Sequence, residues 1–308
     1  MPGKSTEIRP FGPEAIAAAA ELVRGGQPVA VPTETVYGLA ADATNAEAVA
    51  RIYEAKGRPS FNPLIVHVPD LAAARLLGQF DAEALALAEA HWPGPLTLVV
   101  PQQPGSPIAS LVTAGLATVA LRVPAHPAMR ALLEASGRPL AAPSANASGR
   151  ISPTRAAHVL ASLDGRIPLV IDGGATAHGL ESTIVAATGG PLRLLRPGPV
   201  SVPGATTHSV GIEAPGMMES HYAPGKPVRL DAATAEDGEW LIGFGPVAGN
   251  VSLSSTGDLV EAAARLFDLL HQADDAPGDR IAVAPVPCDG LGAAIRDRLV
   301  RAAAPRPA

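Results

Sequence analysis

The chain has 308 residues, 47% hydrophobic and 17% charged, which excludes an intrinsically disordered polypeptide and fits about two domains whose cores, at 3% aromatics, must be mostly Ala, Leu and Val. A single cysteine, Cys288, excludes a disulfide framework and a zinc-finger site, and with no apolar run near the roughly 18 residues of a membrane span and no signal-peptide pattern in "MPGKSTEIRP", a cytoplasmic protein without membrane contact is expected. Net charge is −6, with 15 basic and 15 acidic side chains in residues 1–200 and 8 basic and 14 acidic in 201–308, a balance that disfavours tight non-specific nucleic-acid binding and leaves room only for a local basic cleft.

From the N-terminus, "FGPEAIAAAAELVRGG" predicts a helix with Ile16, Ala19, Ala20 and Val23 on one face and a Gly-Gly stop. "PVAVPTE" follows as a short buried strand. "NAEAVARIYEAKG" is a helix that Asn45 can cap and Gly57 can end. "LIVHVP" predicts a strand, and helical stretches follow near 70–77 and 81–91. "LTLVVP" and "TVALRVP" are strands, "HPAMRALLEASG" a helix and "LAAPSA" a strand. "SPTRAAHVLASL" reads as a helix with Ser152 as cap and Pro153 at its first position. "LVIDGG", "STIVAA" and "LRLLRPG" complete the strands of residues 1–202. Some strands are separated by helices and others follow directly, which predicts a mixed α/β sheet packed with helices.

Residues 203–226 lose all periodicity and are expected to form a linker; a structureless stretch of that length is either disordered or functional. In residues 227–308, "EWLIGFG", "GDLVEAAARLFDLLHQAD", "RIAVAPVP" and "GLGAAIRDRLVRAA" give a β-α-β-α order, the pattern of a small parallel-sheet, Rossmann-like domain. The tail "APRPA" is expected to be frayed.

Familiar catalytic motifs are absent: no G-x-x-x-x-G-K-[ST], no G-x-S-x-G and no H-E-x-x-H, while "GFGPVAG" misses the dinucleotide spacing by one residue. Cys288 has no obvious base beside it, which argues against a cysteine nucleophile. No metal-ligand cluster stands out.

What does stand out is "EAKGRPSFNPLIVHV". Taken singly, Lys56 and Arg58 could be helix-end cations, Asn62-Pro63 a turn and His67 a satisfied strand histidine. Taken together, two cations, an amide and an imidazole converge on one loop and strand. "LAAPSANASGRISPT" adds Ser144, Asn146, Ser148 and Ser152 beside Gly149. Arg122 sits inside an apolar strand, where a guanidinium needs an anion, either a ligand carboxylate or an internal acid. Glu181, Ser182 and Thr183 precede a strand, and Arg196 ends one or is a surface charge. These residues alone support a small anionic ligand near Lys56, Arg58 and Arg122.

Lys56-x-Arg58 followed by Ser144-x-Asn146 resembles the paired signature of the YrdC-like family. "PTETVYGLAADA", "KGRPSFNPLIVHV", "WPGPLTLV", "LRVPAHP", "APSANASGRISPT" and "ESTIV" match it in order over nearly all of residues 10–200. "MMESHYAP" and the C-terminal domain resemble the long form, the threonylcarbamoyl-AMP synthases. The resemblance implies a twisted YrdC-like sheet and a nucleotidyltransferase that joins L-threonine, bicarbonate and ATP, with Mg²⁺, into threonylcarbamoyl-AMP and pyrophosphate. It implies partner proteins that transfer the threonylcarbamoyl group to a tRNA adenosine, with at most weak tRNA binding by this chain. By motif position Thr35, His67, Arg122, Ala142 and Ser182 would line the threonine site, and Arg58, Asn62, Thr118, Ser144, Ser152 and Arg196 would hold ATP. Lys56 and Arg58 would be the catalytic cations, and Tyr222 would close over the nucleotide, making 203–226 a lid. His91 and the Met217-Met218 pair have structural readings. Two alternatives stand beside this one. An RNA-binding module is weakened by the charge balance. A carbamoyl-transfer protein of hydrogenase maturation is weakened by the single cysteine.

Overall fold

The structure is a computed structural model that describes residues 5–207, 211, 213–217 and 220–305; Met218 and residues 306–308 of the tail lie outside them. In chain order the first domain runs β1 (Glu7–Pro10), α1 (Pro13–Arg24), β2 (Val29–Pro32), β3 (Tyr37–Asp42), α2 (Ala46–Lys56), β4 (Ile65–His67), α3 (Leu71–Leu77), α4 (Ala82–His91), β5 (Leu96–Pro101), α5 (Ser110–Thr113), β6 (Thr118–Arg122), α6 (Pro127–Ser136), β7 (Leu140–Ala141), α7 (Ala156–Leu163), β8 (Leu169–Asp172), β9 (Thr183–Ala186) and β10 (Arg193–Arg196). The second domain holds β11 (Val228–Arg229), β12 (Glu239–Gly243), β13 (Val251–Ser252), α8 (Leu259–Asp275), β14 (Arg280–Val283) and α9 (Leu291–Ala303).

The ten-stranded sheet has the order β1-β8-β2-β3-β7-β4-β6-β5-β9-β10 and is mixed, as its irregular connections predict. Side chains alternate along β2: Val29 and Val31 meet the cluster of α1 and α6, while Ala30 meets that of α2, α3, α4 and α7. Helices therefore cover both faces. The α2 helix begins and ends where its sequence dictates. Asn45 Oδ1 accepts from the amides of Glu47 and Ala48, and Gly57 turns the chain at φ 60°. The four strands of the second sheet are all parallel, ordered β11-β14-β12-β13.

One predicted helix start is wrong. α7 begins at Ala156 with Arg155 in the cap position, not at Ser152-Pro153. Ser152 Oγ instead donates to Glu181 Oε1 at 2.5 Å, away from the start of the helix.

The domains are closely joined. Val36, Ile151 and Leu180 of the first share a hydrophobic cluster with α8, α9 and Tyr222. Gly179, at φ +66°, presses against α8: a Cβ there would stand 2.4 Å from the Ala264 carbonyl oxygen. Arg155 pairs with Asp268 at 2.6 Å, and the rings of His158 and His271 stack at 3.8 Å. The segment from 203 to 226 holds no helix or strand among its described residues, yet it is tied down. The Leu194 amide donates to the Thr206 carbonyl, and the Ala223 amide to the Gly149 carbonyl.

Candidate active site

The centre of the sheet brings the charged residues together. β4 and β6 run parallel with His67 opposite Arg122, and β7 pairs antiparallel with β4 on its other side. Both side chains lie at the C-terminal ends of their strands. Arg122 Nε donates to the Gly94 carbonyl at 3.3 Å and Nη2 to Glu34 Oε1 at 2.7 Å. The anion that a buried arginine demanded is thus an internal acid, Glu34, which lies on the loop between β2 and β3. Burial alone would raise the Glu34 carboxyl, but the charge and hydrogen bond of Arg122 outweigh it and hold it down to about 2. His67 is 2% exposed and neither ring nitrogen closes a hydrogen bond of normal geometry. Burial first, then the Arg122 charge, pushes its pKa down to about 3, so the imidazole is neutral at pH 7.

A second group of cations comes from the end of α2. Lys56 Nζ donates to the Ser144 carbonyl at 2.6 Å and to the Asn146 carbonyl, and the Lys56 carbonyl accepts from the Ser148 amide. The K-x-R and S-x-N segments are therefore stitched together through Lys56. Burial, helped by the neighbouring Arg58 charge, lowers the ammonium well below its ordinary value. Arg58 Nε and Nη2 reach the Asn62 and Pro63 carbonyls at 3.2 and 2.9 Å, and burial pulls its pKa to about 10. Arg196, at the end of β10, gives Nε to the Ser182 carbonyl and Nη2 to its hydroxyl.

Arg58, Arg122 and Arg196 face one cavity, walled also by His67, Ser144 and Glu181 and covered by Pro215, Gly216, His221 and Tyr222. Three guanidiniums against a neutral imidazole make it a receptor for anions.

A family model described as telomere recombination (Sua5, YciO, YrdC) matches residues 21–198. The chain belongs to the Sua5/YciO/YrdC family. A model described as threonylcarbamoyl-AMP synthase, C-terminal domain, matches residues 193–304. A threonylcarbamoyl-AMP synthase of Bacillus subtilis strain 168 is 41% identical over 94% of this chain and 93% of its own. That of Pyrococcus abyssi is 42% identical over 92% of each. The crystal structure of P. abyssi Sua5 complexed with L-threonine superposes with a TM-score of 0.88 at 37% identity, covering 97% of this chain and 96% of that one. Full-length HypF, at 19% identity and a TM-score of 0.53, shares the fold alone.

Within this Sua5-type architecture, the residues singled out from sequence fall into three groups. Thr35, Arg58, His67, Arg122, Ala142, Ser144, Arg196 and Tyr222 line the cavity. Lys56, Asn62, Ser152 and Ser182 stand behind its wall, all at most 2% exposed, and act on residues that line it. Thr118 does neither: it begins β6 opposite Pro101, at the far end of the strand from Arg122. His91 ends α4 outside the cavity, and Met217 packs beside β9 and β10 with its sulfur accepting from the Glu213 amide. Three functional-looking residues carried no assignment from sequence. Glu34 is one, and the unmet charge of Arg122 was its signal. Gly216 and Arg298 are the others. Arg298 stands in the buried stripe of α9 between Ile295, Leu299 and Ala302, a charge breaking an apolar pattern. Among the described residues no group of three His, Cys, Asp or Glu could hold a metal, and no helix is long and apolar enough to cross a membrane.

Proposed function

We propose that this protein is a threonylcarbamoyl-AMP synthase. The observation that carries the reading is the convergence of Arg58, Arg122 and Arg196 around the neutral His67 in a single covered cavity. Such a site suits two anions, an amino-acid carboxylate and a nucleotide triphosphate.

The amine of L-threonine captures carbon dioxide from bicarbonate and loses a proton to give a carbamate. A carbamate oxygen then attacks the α-phosphorus of ATP, and the bond to pyrophosphate breaks. This makes the reaction a nucleotidyl transfer that needs no protein nucleophile. Catalysis rests on alignment and on fixed positive charge where pyrophosphate leaves. Among the described residues Arg122 is bonded through Nε and Nη2, which leaves Nη1 to suit the threonine carboxylate beside Glu34. The unsatisfied nitrogens of His67 offer the threonine a neutral polar partner. Arg58 and Arg196 take the phosphates, with Ser144 on the same wall. Lys56 works one step back, fixing the Ser144–Asn146 loop through two carbonyls. ATP would be taken as its Mg²⁺ complex, the metal offsetting phosphate charge alongside Arg58 and Arg196. Tyr222 and its neighbours form the cover, so the 203–226 segment acts as a lid. The product passes to partner proteins that modify tRNA. The excess of acidic residues in 201–308, 14 against 8 basic, disfavours tight tRNA binding by the second domain.

Pyrophosphate release measured with ATP, threonine and bicarbonate omitted in turn tests the reading. Release that requires all three is expected; release indifferent to threonine or bicarbonate would overturn it.

A further inference from the structure

The second domain meets the cavity wall at several points, with Phe267 5.5 Å from the Tyr222 ring and the Arg301 carbonyl accepting from the His221 amide, and it adds one buried charge there. Arg298 of α9 is 0% exposed, the largest fully buried side chain of the described residues. Its Nε donates to Glu181 Oε2 at 2.9 Å, and its Nη1 to the Pro197 carbonyl at 2.8 Å and to Asp297 Oδ2 at 2.9 Å. Its guanidinium carbon lies 5.4 Å from the centre of the Tyr222 ring. Nη2 is buried and has no hydrogen-bond partner among the described residues.

Three of these contacts flank a residue of the nucleotide pocket or touch one. Glu181 lines the cavity itself and precedes Ser182, which Arg196 grips. Pro197 follows Arg196 directly. Tyr222 is in the cover. An interdomain ion pair serving only to glue two surfaces has no need to converge on these three places. The charge of Glu181 gives the convergence a purpose. A bare carboxylate in the wall of the cavity repels a triphosphate and competes for Arg196.

We propose that Arg298 is a positioning residue of the nucleotide pocket, supplied by the second domain, whose guanidinium neutralises Glu181 and keeps the wall beside Arg196 and Tyr222 receptive to phosphate. Arg298 acts through Glu181, Pro197 and Tyr222 and touches no reacting atom. Burial works against its charge, but Tyr222, Glu181 and Asp297 together raise its pKa, so the guanidinium stays charged. Ser152 belongs to the same device, because its hydroxyl occupies the other oxygen of Glu181. This inference rests on the assignment of ATP to the cavity.

The test uses the full chain as wild type, Arg298→Lys, Arg298→Gln and the double variant Glu181→Gln with Arg298→Gln. Thermal melting is recorded for each, and the binding of Mg·ATP and of L-threonine is measured separately by calorimetry. Arg298→Gln strands the carboxylate, so its affinity for ATP should fall on the order of tenfold or more while that for threonine changes less than about threefold. Arg298→Lys, which keeps the charge, should bind ATP better than Arg298→Gln. The double variant, with no charge left to neutralise, should recover ATP binding to within about threefold of wild type. Equal losses for ATP and threonine, equal ATP affinity of the Lys and Gln variants, or a folded double variant with no recovery would each overturn the inference. If Arg298→Gln does not fold, the comparison of Arg298→Lys and the double variant with wild type decides in the same way. A wild type that binds no ATP would overturn the assigned function itself; a wild type that binds ATP with Arg298→Gln unaltered overturns the role of Arg298 alone.

Discussion

Glu34→Gln probes the pair at the centre of the cavity. In the folded chain the Glu34 carboxyl is held at about 2, against 4.5 for the free side chain. At roughly 1.4 kcal/mol per pH unit, that displacement stabilises the fold by about 3 kcal/mol at neutral pH. The group's folded pKa is depressed, so the contribution is complete above the unfolded value near 4.5 and is lost as pH falls towards 2. By pH 3 it should have fallen to roughly half. The amide variant keeps the shape of the side chain but leaves the 3% exposed Arg122 without its anion. Urea unfolding followed by circular dichroism at pH 7 and at pH 3 is the assay. The variant should be less stable by about 3 kcal/mol at pH 7, and the gap should narrow to about half at pH 3. A gap under about 1 kcal/mol at pH 7, or one that does not narrow in acid, would refute the reasoning and make the contact a weakly coupled one.

Further outcomes follow from the same geometry. Arg122→Lys keeps a charge beside Glu34 but loses the planar fork, so steady-state kinetics should show the KM for threonine rising about tenfold and that for ATP changing little; equal changes would count against a carboxylate site. Lys56→Met should lower both the melting temperature and turnover, because the Ser144 and Asn146 carbonyls lose a charged donor worth about 1.5–3 kcal/mol per bond. Near-normal values for both would return Lys56 to a plain helix-end charge. Gly216→Ala forces a side chain onto a residue at φ +82°, with its Cβ only 2.7 Å from the Tyr222 hydroxyl and 3.0 Å from Arg196 Cδ. The KM for ATP should rise several-fold, at a cost of about 1–2 kcal/mol in stability; an unchanged KM would mean that this segment does not shape the nucleotide site.

Much of this was legible from local chemistry. α2 could be bounded by eye because Asn45 and Gly57 are residues whose side chain, or lack of one, satisfies a helix end within the sequence itself. α8 could be read because a surface helix shows one apolar face, as Ala262, Ala263, Leu266, Phe267 and Leu270 do. β3 escaped because "YGLAAD" has neither β-branched residues nor alternation: all six residues are buried between β2 and β7, so tertiary packing overrides propensity. β1, β11 and β13 are too short or too exposed to carry a pattern. Ser152 misled because a serine before a proline reads as a cap, while its partner Glu181 is 29 residues away. At the site, the motif residues were readable by resemblance, but their division into lining and supporting roles was not. Lys56 and Arg58 are two residues apart, yet only Arg58 faces the cavity, a distinction set by the turn at Gly57 and the carbonyls that capture Lys56. Arg298 could not be tied to Glu181 from sequence, since 117 residues and a domain boundary separate them.

Incubation with ¹⁴C-bicarbonate, threonine and ATP, followed by separation of nucleotides from protein, tests the central chemistry most directly. The account predicts one label in a nucleotide-linked product for each pyrophosphate released, none without threonine, and none on the protein. Pyrophosphate released without label in a nucleotide, or label held covalently by the chain, would contradict it.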